Sequence, residues 1–331
     1  MAVSYHDTVN DLQAFERAPR AAHGPFDRLD WFALLERHGG KKPLIALARE
    51  GAEFVALPLM RDGGRLVPLT NWYSFVWRPL ASDGADRPAL LRAIARDLRR
   101  HGNTLALTPL PDEDGAAIEM QKAFEAGGWT AILEECDNNH VLPVKGRSYA
   151  EYLKERPGQL RTTLKRKAKH VEIGILTSFQ HSAWQSYEDI YARSWKPEEG
   201  SPAMLRAFAE QEGAAGRLRL GIATHQGNPV ATQLWTVENG VAYIHKLAHL
   251  EEAKPLSAGT VLTAALMEHT IDRDGVSLVD FGTGNDGYKR DWMEDVRPRW
   301  RLVCFDHRDP RAWPALAKAR LRQLASGKSG G

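Results

Sequence analysis

The chain has 331 residues, 43% hydrophobic and 26% charged, which excludes wholesale disorder, a collagen-like repeat or a small disulfide-built scaffold. Lys and Arg number 44 against 42 Asp and Glu, a net charge of +2. That near balance argues against a dedicated duplex-DNA binder and leaves room for local basic patches only. At about 150 residues per domain the length predicts two domains, each able to bury a core.

The elements follow in chain order. A helix is predicted over 28–37, stopped by Gly39-Gly40. Three short strands come next, over 44–49, 53–60 and 65–69, separated by the hairpin signals Glu50-Gly51 and Asp62-Gly63-Gly64. A helix over 87–101 carries Leu90, Leu91, Ile94 and Leu98 on one face. Then come a strand over 104–108, a helix over 114–126 ended by Gly127-Gly128, and a strand over 129–136. The second half repeats this order. A strand over 139–144 leads to helical segments over 148–153, 159–169 and 183–194, and to a further helix after Ser201-Pro202. Three antiparallel strands over 217–224, 229–237 and 241–248 are joined by His225-Gln226-Gly227-Asn228 and Glu238-Asn239-Gly240. A helix over 257–271, a strand over 277–281, a glycine-rich loop, a strand over 299–305 and a helix over 313–324 complete the chain. The fold class expected is α+β: two halves, 1–137 and 138–331, each a mixed, mostly antiparallel sheet flanked by helices.

Cys136 and Cys304 lie far apart in apolar runs without CxxC or Cys/His spacing, so neither a zinc site nor a disulfide framework is expected. A reduced, cytoplasmic protein is the simplest reading. The start lacks a basic region followed by an apolar core, so no signal peptide is expected. No apolar run approaches the ~20 residues of a spanning helix. The end, from Ser326 to Gly331, reads as a flexible tail.

The densest motif runs from Val279 to Arg290. Gly282, Gly284 and Gly287 spell GxGxxG after a strand, but Pro298 follows too soon for a βαβ unit. Gly282 to Lys289 imitates a P-loop with one residue too many before the lysine and no Ser or Thr after it. Asp280-Phe281-Gly282 is a kinase tripeptide without its HRD partner. A second motif, Lys254 to Leu262, opens an amphipathic helix with a proline, a serine cap and a glycine. Free N–H groups at such a start bind phosphate oxygens, and Gly259 lets a ligand approach the backbone. Simple capping by Ser257 is the competing reading.

Together these segments resemble the BioF/CelD-like acetyltransferase domain of the GNAT superfamily, a relative of the Fem-type peptidyl transferases. The resemblance rests on Gly227-Asn228-Pro229-Val230-Ala231, on Ser257-Ala258-Gly259, and on Asp280 through Tyr288-Lys289. It is clearest over about residues 150–305, and the element order of residues 26–136 fits a degenerate first copy. Ala258 stands where that family usually has proline, His249 stands where an aspartate often follows the third strand, and the usual GNAT pyrophosphate signature is not met.

The resemblance implies tandem GNAT-like halves, with the reaction centred on the second. An acyl group would pass from acetyl-CoA or a longer acyl-CoA, without a metal, to an amine on a small molecule or polysaccharide precursor. Ser257, Ala258, Gly259 and Thr260 would hold the donor's phosphates. A strand N–H near His245–Ala248, with Lys289, would stabilise the oxyanion. Tyr288 would donate a proton or pack, and Asp280 would accept the amine proton or cap the loop. His245 and His249, four apart on one strand, should share a face, with His245 a candidate base. Two alternatives stand beside this reading. One is a Fem-like aminoacyl-tRNA-dependent transferase acting on a cell-wall or polysaccharide precursor, favoured by the basic run Arg156, Arg161, Lys165, Arg166, Lys167 and Lys169. The other is a non-catalytic GNAT-like scaffold. The aromatics Trp72, Tyr73, Phe75, Trp77, Trp184, Tyr187, Tyr191 and Trp195 read first as core, and second as the lining of a substrate cleft.

Overall fold

A computed structural model describes residues 1–15 and 23–326; of the segment read as a tail, only Ser326 is among them. In chain order the elements are β1 (Ala2–His6), α1 (Leu29–His38), β2 (Pro43–Glu50), β3 (Glu53–Asp62), β4 (Arg65–Pro68), β5 (Leu80–Ala81), α2 (Arg87–Leu98), β6 (Thr104–Leu110), α3 (Ala116–Ala126) and β7 (Thr130–Pro143). They continue with α4 (Tyr149–Lys154), α5 (Gly158–Lys167), β8 (Glu172–Leu176), α6 (His181–Ala192), α7 (Pro202–Ala214), β9 (Leu218–His225), β10 (Asn228–Glu238) and β11 (Val241–His249). Last come α8 (Ala258–Glu268), β12 (Leu278–Thr283), β13 (Asp295–Phe305) and α9 (Trp313–Ser326). The mixed sheets flanked by helices are the α+β architecture expected.

Contacts divide the chain into two compact units, Met1–Asp137 with Pro298–Gly331, and Asn138–Arg297. The segment from Pro298 on, expected with the C-terminal half, therefore packs in the first unit. Backbone pairing explains it: Leu302 pairs Leu107, Cys304 pairs Leu105 and Phe305 pairs Thr104. Arg99 then clamps Asp306 through two hydrogen bonds of 2.9 Å, which holds the Asp306 carboxyl below the usual range despite burial.

In the first unit the strand order is β1-β2-β3-β4-β6-β13-β7, with β5 paired to β3. Gly51, Gly63 and Gly64 take the positive φ that the tight β2–β3 and β3–β4 turns require. Helix α1 buries Leu29, Trp31, Phe32, Leu34 and Leu35. Helix α2 starts on Asp86, whose carboxylate accepts from the Ala89 N–H, and buries Leu90, Leu91, Ile94 and Leu98.

In the second unit the order is β7-β12-β11-β10-β9-β8. Strands β9, β10 and β11 form the antiparallel meander, and β12 returns parallel to β11. Helix α8 covers one face of the meander. Gly221 on β9 permits the approach, because a Cβ there would lie 2.8 Å from Leu266 and 2.9 Å from Leu262. Helices α6 and α7 cover the other face. Three strands escaped the sequence reading, β1, β8 and the two-residue β5. β1 and β8 carry mixed burial, so neither shows a clean apolar alternation.

Candidate functional site

The site grows from a fork in the second sheet. Strand β11 pairs β12 at Val241↔Leu278, Ala242↔Val279 and Tyr243↔Asp280, where that ladder ends. Strand β10 pairs β11 at Trp235↔Ile244 and then at Leu234↔Lys246, so His245 is the extra residue of a β-bulge. A bulge bends its strand and re-aims side chains. Here His245 turns to Thr236, 2.8 Å from its hydroxyl, and packs edge-on against Phe208 of α7. His249 instead lies beneath the start of α8, where a Cβ on Gly259 would be 3.3 Å from its ring. The two histidines expected on one face are thus on opposite faces, because the bulge shifts the strand's two-residue period by one.

Ser257 stands at the N-cap of α8, but in the left-handed conformation (φ 52°), and its side chain makes no capping hydrogen bond. The capping expected of it is therefore not found. Ala258 is buried while Ser257, Gly259 and Thr260 are half-buried. The first-turn N–H groups of a helix have no intrahelical acceptor, and the dipole gives them partial positive charge.

Beyond Asp280, the loop that follows β12 is tied down by its own side chains. The Asp280 carboxylate accepts from the Gly282 N–H at 2.7 Å and from Asn139 at 3.0 Å. Lys289 is 4% exposed, and its ammonium donates to the carbonyls of Thr283 (2.6 Å), Gly284 (3.3 Å) and Gly282 (3.4 Å). The Phe281 ring lies below it at 5.4 Å. Asp280 and Lys289 thus share the work of closing the turn. Burial and the Lys289 charge push His140, on the adjacent β7, below the usual imidazole range. Tyr288 packs edge-on against Phe281 and keeps 41% of its surface exposed. Partial burial and Asp286 push its phenol up to about 12, so it stays protonated at neutral pH. Downstream, Tyr152 donates to the Trp292 carbonyl at 2.7 Å, and Arg147 and Arg156 grip Glu294.

A chain of contacts runs from one motif toward the other. From Gly259 the contacts run to His249, then to Trp195 tilted against it at 4.1 Å, then to Lys196 over the Trp195 ring at 5.3 Å. Lys196 is pulled down by burial and supported by the charge of Asp286, two residues before Tyr288. Sequence reasoning missed Lys196, Glu199 and Lys246. Lys246 is 8% exposed, with its Nζ 3.1 Å from Glu199 and 3.5 Å from the Tyr191 hydroxyl. Among the described residues no three His, Cys, Asp or Glu side chains gather in a metal-ligating group. No helix among them is long and apolar enough to cross a membrane.

A three-strand meander, a helix with an uncapped start and a parallel strand splayed from a bulged one define an acyltransferase-type fold of the GNAT class. Comparison with known families agrees: residues 152–290, within the second unit, match the acetyltransferase (GNAT) domain. Among solved structures, L-PGS from Bacillus licheniformis superposes with a TM-score of 0.59 at 13% identity, covering 93% of this chain and 95% of that one. FemX gives 0.59 at 9% identity, with 91% and 97% covered. A tandem GNAT protein from the clavulanic acid biosynthesis pathway gives 0.50 at 15% identity, with 91% and 98% covered. At these identities the likeness is one of fold. No curated protein matches the chain in sequence.

Proposed function

We propose that the second unit transfers an acyl group from an acyl-CoA to an amine acceptor. The observation that carries this reading is the fork: β11 and β12 part after Tyr243↔Asp280, beside a bulge and next to the uncapped start of α8. At such a fork a backbone N–H of the bulged strand is turned away from its ladder and is available to an oxyanion. The first turn of α8, from Ser257 to Thr260, holds the donor's phosphates, which aligns its carbonyl along β11. Attack by the amine forms a C–N bond and a tetrahedral intermediate. Its collapse breaks the C–S bond, and the thiolate leaves with the electron pair. Tyr288, protonated and partly exposed, is placed in this reading to give the thiolate its proton, and the proton shed by the nitrogen as the amide forms restores the phenol. Asp280 and Lys289 keep the loop in the conformation that presents Tyr288. Lys289 thereby acts on the reaction through the loop rather than through free N–H donors.

Calorimetry of the full chain with acetyl-CoA and longer acyl-CoAs tests the reading, together with thiol release in the presence of amines. Binding is expected, and turnover should fall about 100-fold in Tyr288→Phe. No heat with any acyl-CoA would overturn the choice of donor.

A second reading is an aminoacyl-tRNA donor, and a specific observation favours it. Arg161, Lys165 and Arg166 of α5 are exposed, while Leu160 and Leu164 dock the helix. The segment after α5 reaches the meander end where β11 finishes: the His170 carbonyl accepts from His225 at 2.7 Å. Filter binding with charged tRNA separates the donors. Retention no stronger than that of a generic polyanion at matched salt would remove this reading.

A further inference from the structure

The face of the meander opposite α8 holds a cleft of about 540 Å³ between α6, α7 and the segment that joins them. Its walls are of two kinds. One is the aromatic ladder of α6, where Trp184 stacks on Tyr187 at 4.5 Å and Tyr187 on Tyr191 at 6.0 Å. The other is polar and comes from the connecting segment, with Lys196, Glu198 and Glu199. Glu199 is 10% exposed and reaches the cleft; behind it, out of the cleft wall, stands Lys246. Lys246 is also the residue directly after the bulge, so the pair joins the cleft to the strand on which the acyl carbonyl would lie.

We propose that this cleft receives the acceptor as an alkylammonium with an apolar body, that Glu199 takes the ammonium proton, and that Lys246 is the positioning residue that holds Glu199 and stores that proton. The inference rests on the acyl transfer proposed above. Its chemistry is balanced as follows. The ammonium N–H bond breaks and its proton passes to a Glu199 oxygen. The nitrogen lone pair thus freed forms the C–N bond, the C–S electrons leave with sulfur, and the second proton shed by the nitrogen replaces the one Tyr288 gives the thiolate. The Glu199 proton moves on to the neutral amine of Lys246, 3.1 Å away, and from there to solvent.

The surroundings support a proton at this place. Burial brings the Lys246 ammonium down to about 8, opposed by Glu199 and reinforced by Lys196. An amine in that range is well matched to accept from an alkylammonium near neutral pH. Other titratable groups lie around the pair. Tyr191 is held protonated by burial and by Glu199, at about 12. Glu188 takes the Trp184 indole N–H and faces Arg206 at 3.9 Å. Lys196 is balanced by Asp286. Glu198 lines the same cleft, and His245 faces α7. The aromatic ladder suits the apolar body and, through its ring faces, the cation.

The test uses phenethylamine and aniline as probes with the full-length chain. Phenethylamine binding is measured first by calorimetry without donor, and Glu199→Gln should weaken it at least about tenfold. No binding, or equal binding to Glu199→Gln, overturns the proposal whatever the donor proves to be. Acetyl transfer from acetyl-CoA is then measured. Aniline is uncharged near neutral pH and needs no prior deprotonation. Glu199→Gln should therefore lower kcat/KM for phenethylamine about 100-fold and for aniline far less. Lys246→Arg, which cannot store the proton, should abolish the rise of phenethylamine turnover through pH 8. Equal losses for both amines, with the pH profile unchanged, would assign the pair a structural role only and sink the inference. Failure to bind acetyl-CoA, with phenethylamine binding intact and sensitive to Glu199, would instead count against the donor alone.

Discussion

The two units answer the same topological question differently. Each has a meander whose last strand is followed by a helix and a parallel strand: β4, α2 and β6 in the first, β11, α8 and β12 in the second. In the first unit the place beside β6 is filled from within. Chain after β4 folds back so that the Trp77 N–H donates to the Pro109 carbonyl of β6 at 2.8 Å, and its indole N–H to the Pro58 carbonyl of β3 at 3.0 Å. Trp77 is 0% exposed. The helix start is closed as well, by the Asp86 carboxylate. In the second unit neither closure is present: β11 bulges at His245, and Ser257 leaves α8 uncapped. The same order of elements thus gives a sealed core in one unit and an open fork in the other. Two local choices decide which, a tryptophan in the connection and the residue at the helix N-cap.

Breaking the seal is the largest expected effect. Trp77→Ala should cost about 3–5 kcal/mol, read as a fall in the denaturant midpoint, since it opens a cavity and removes the indole donor to the Pro58 carbonyl. Its effect on acyl-CoA affinity should be small; a large one would mean that the first unit is not merely sealed. Next comes Lys289→Ala, which strips three carbonyls of a donor in the second unit. A loss of about 2–3 kcal/mol is expected in the same measurement, together with loss of turnover. An unchanged midpoint would mean that the lysine does not hold the loop.

A pH series sharpens the contrast further. The folded Lys246 lies at about 8 against an ordinary 10.5, so between these values the unfolded chain binds more protons. Stability then rises with pH, by about 2 kcal/mol from pH 8 to 10. Above pH 10 the trend reverses, because burial raises Tyr5, Tyr149 and Tyr152 and the unfolded chain loses those protons first. Lys246→Met should flatten the rise, and a rise that persists would assign it to another group. The smallest effect compares the two caps. Asp86→Ala should cost about 1 kcal/mol, whereas Ser257→Ala should cost only a few tenths. Equal costs would show that Ser257 caps after all.

Much of this plan was legible in the amino acids, and the misses have physical causes. The hairpins were readable because Gly51, Gly63, Gly227 and Gly240 must take positive φ in tight turns. Helices α2 and α8 were readable from their apolar spacing. The contacts do divide at Asp137-Asn138, but the two strands read on either side of it are one, β7, because neighbouring strands supply partners that a local reading cannot see. The bulge was hidden for a similar reason: an extra residue is defined only by its partner strand. The pairing of Lys246 with Glu199 spans 47 positions and depends on how α6 seats on the sheet. Asp280 and Lys289 were found by motif, but their hydrogen bonds, and so the division between holding and reacting, belong to the folded loop.

One strand has a consequence for biosynthesis. The first unit needs β13 beside β6, and the ribosome delivers the stretch that pairs there, from Trp300 on, only after every residue of the second unit. Until then β6 offers an unpaired edge. The nascent first unit must wait incomplete while the later-made one closes, so the order of synthesis and the order of completion are opposite. A chain halted after Asp137 would therefore be a poor folder, prone to recruit a foreign strand.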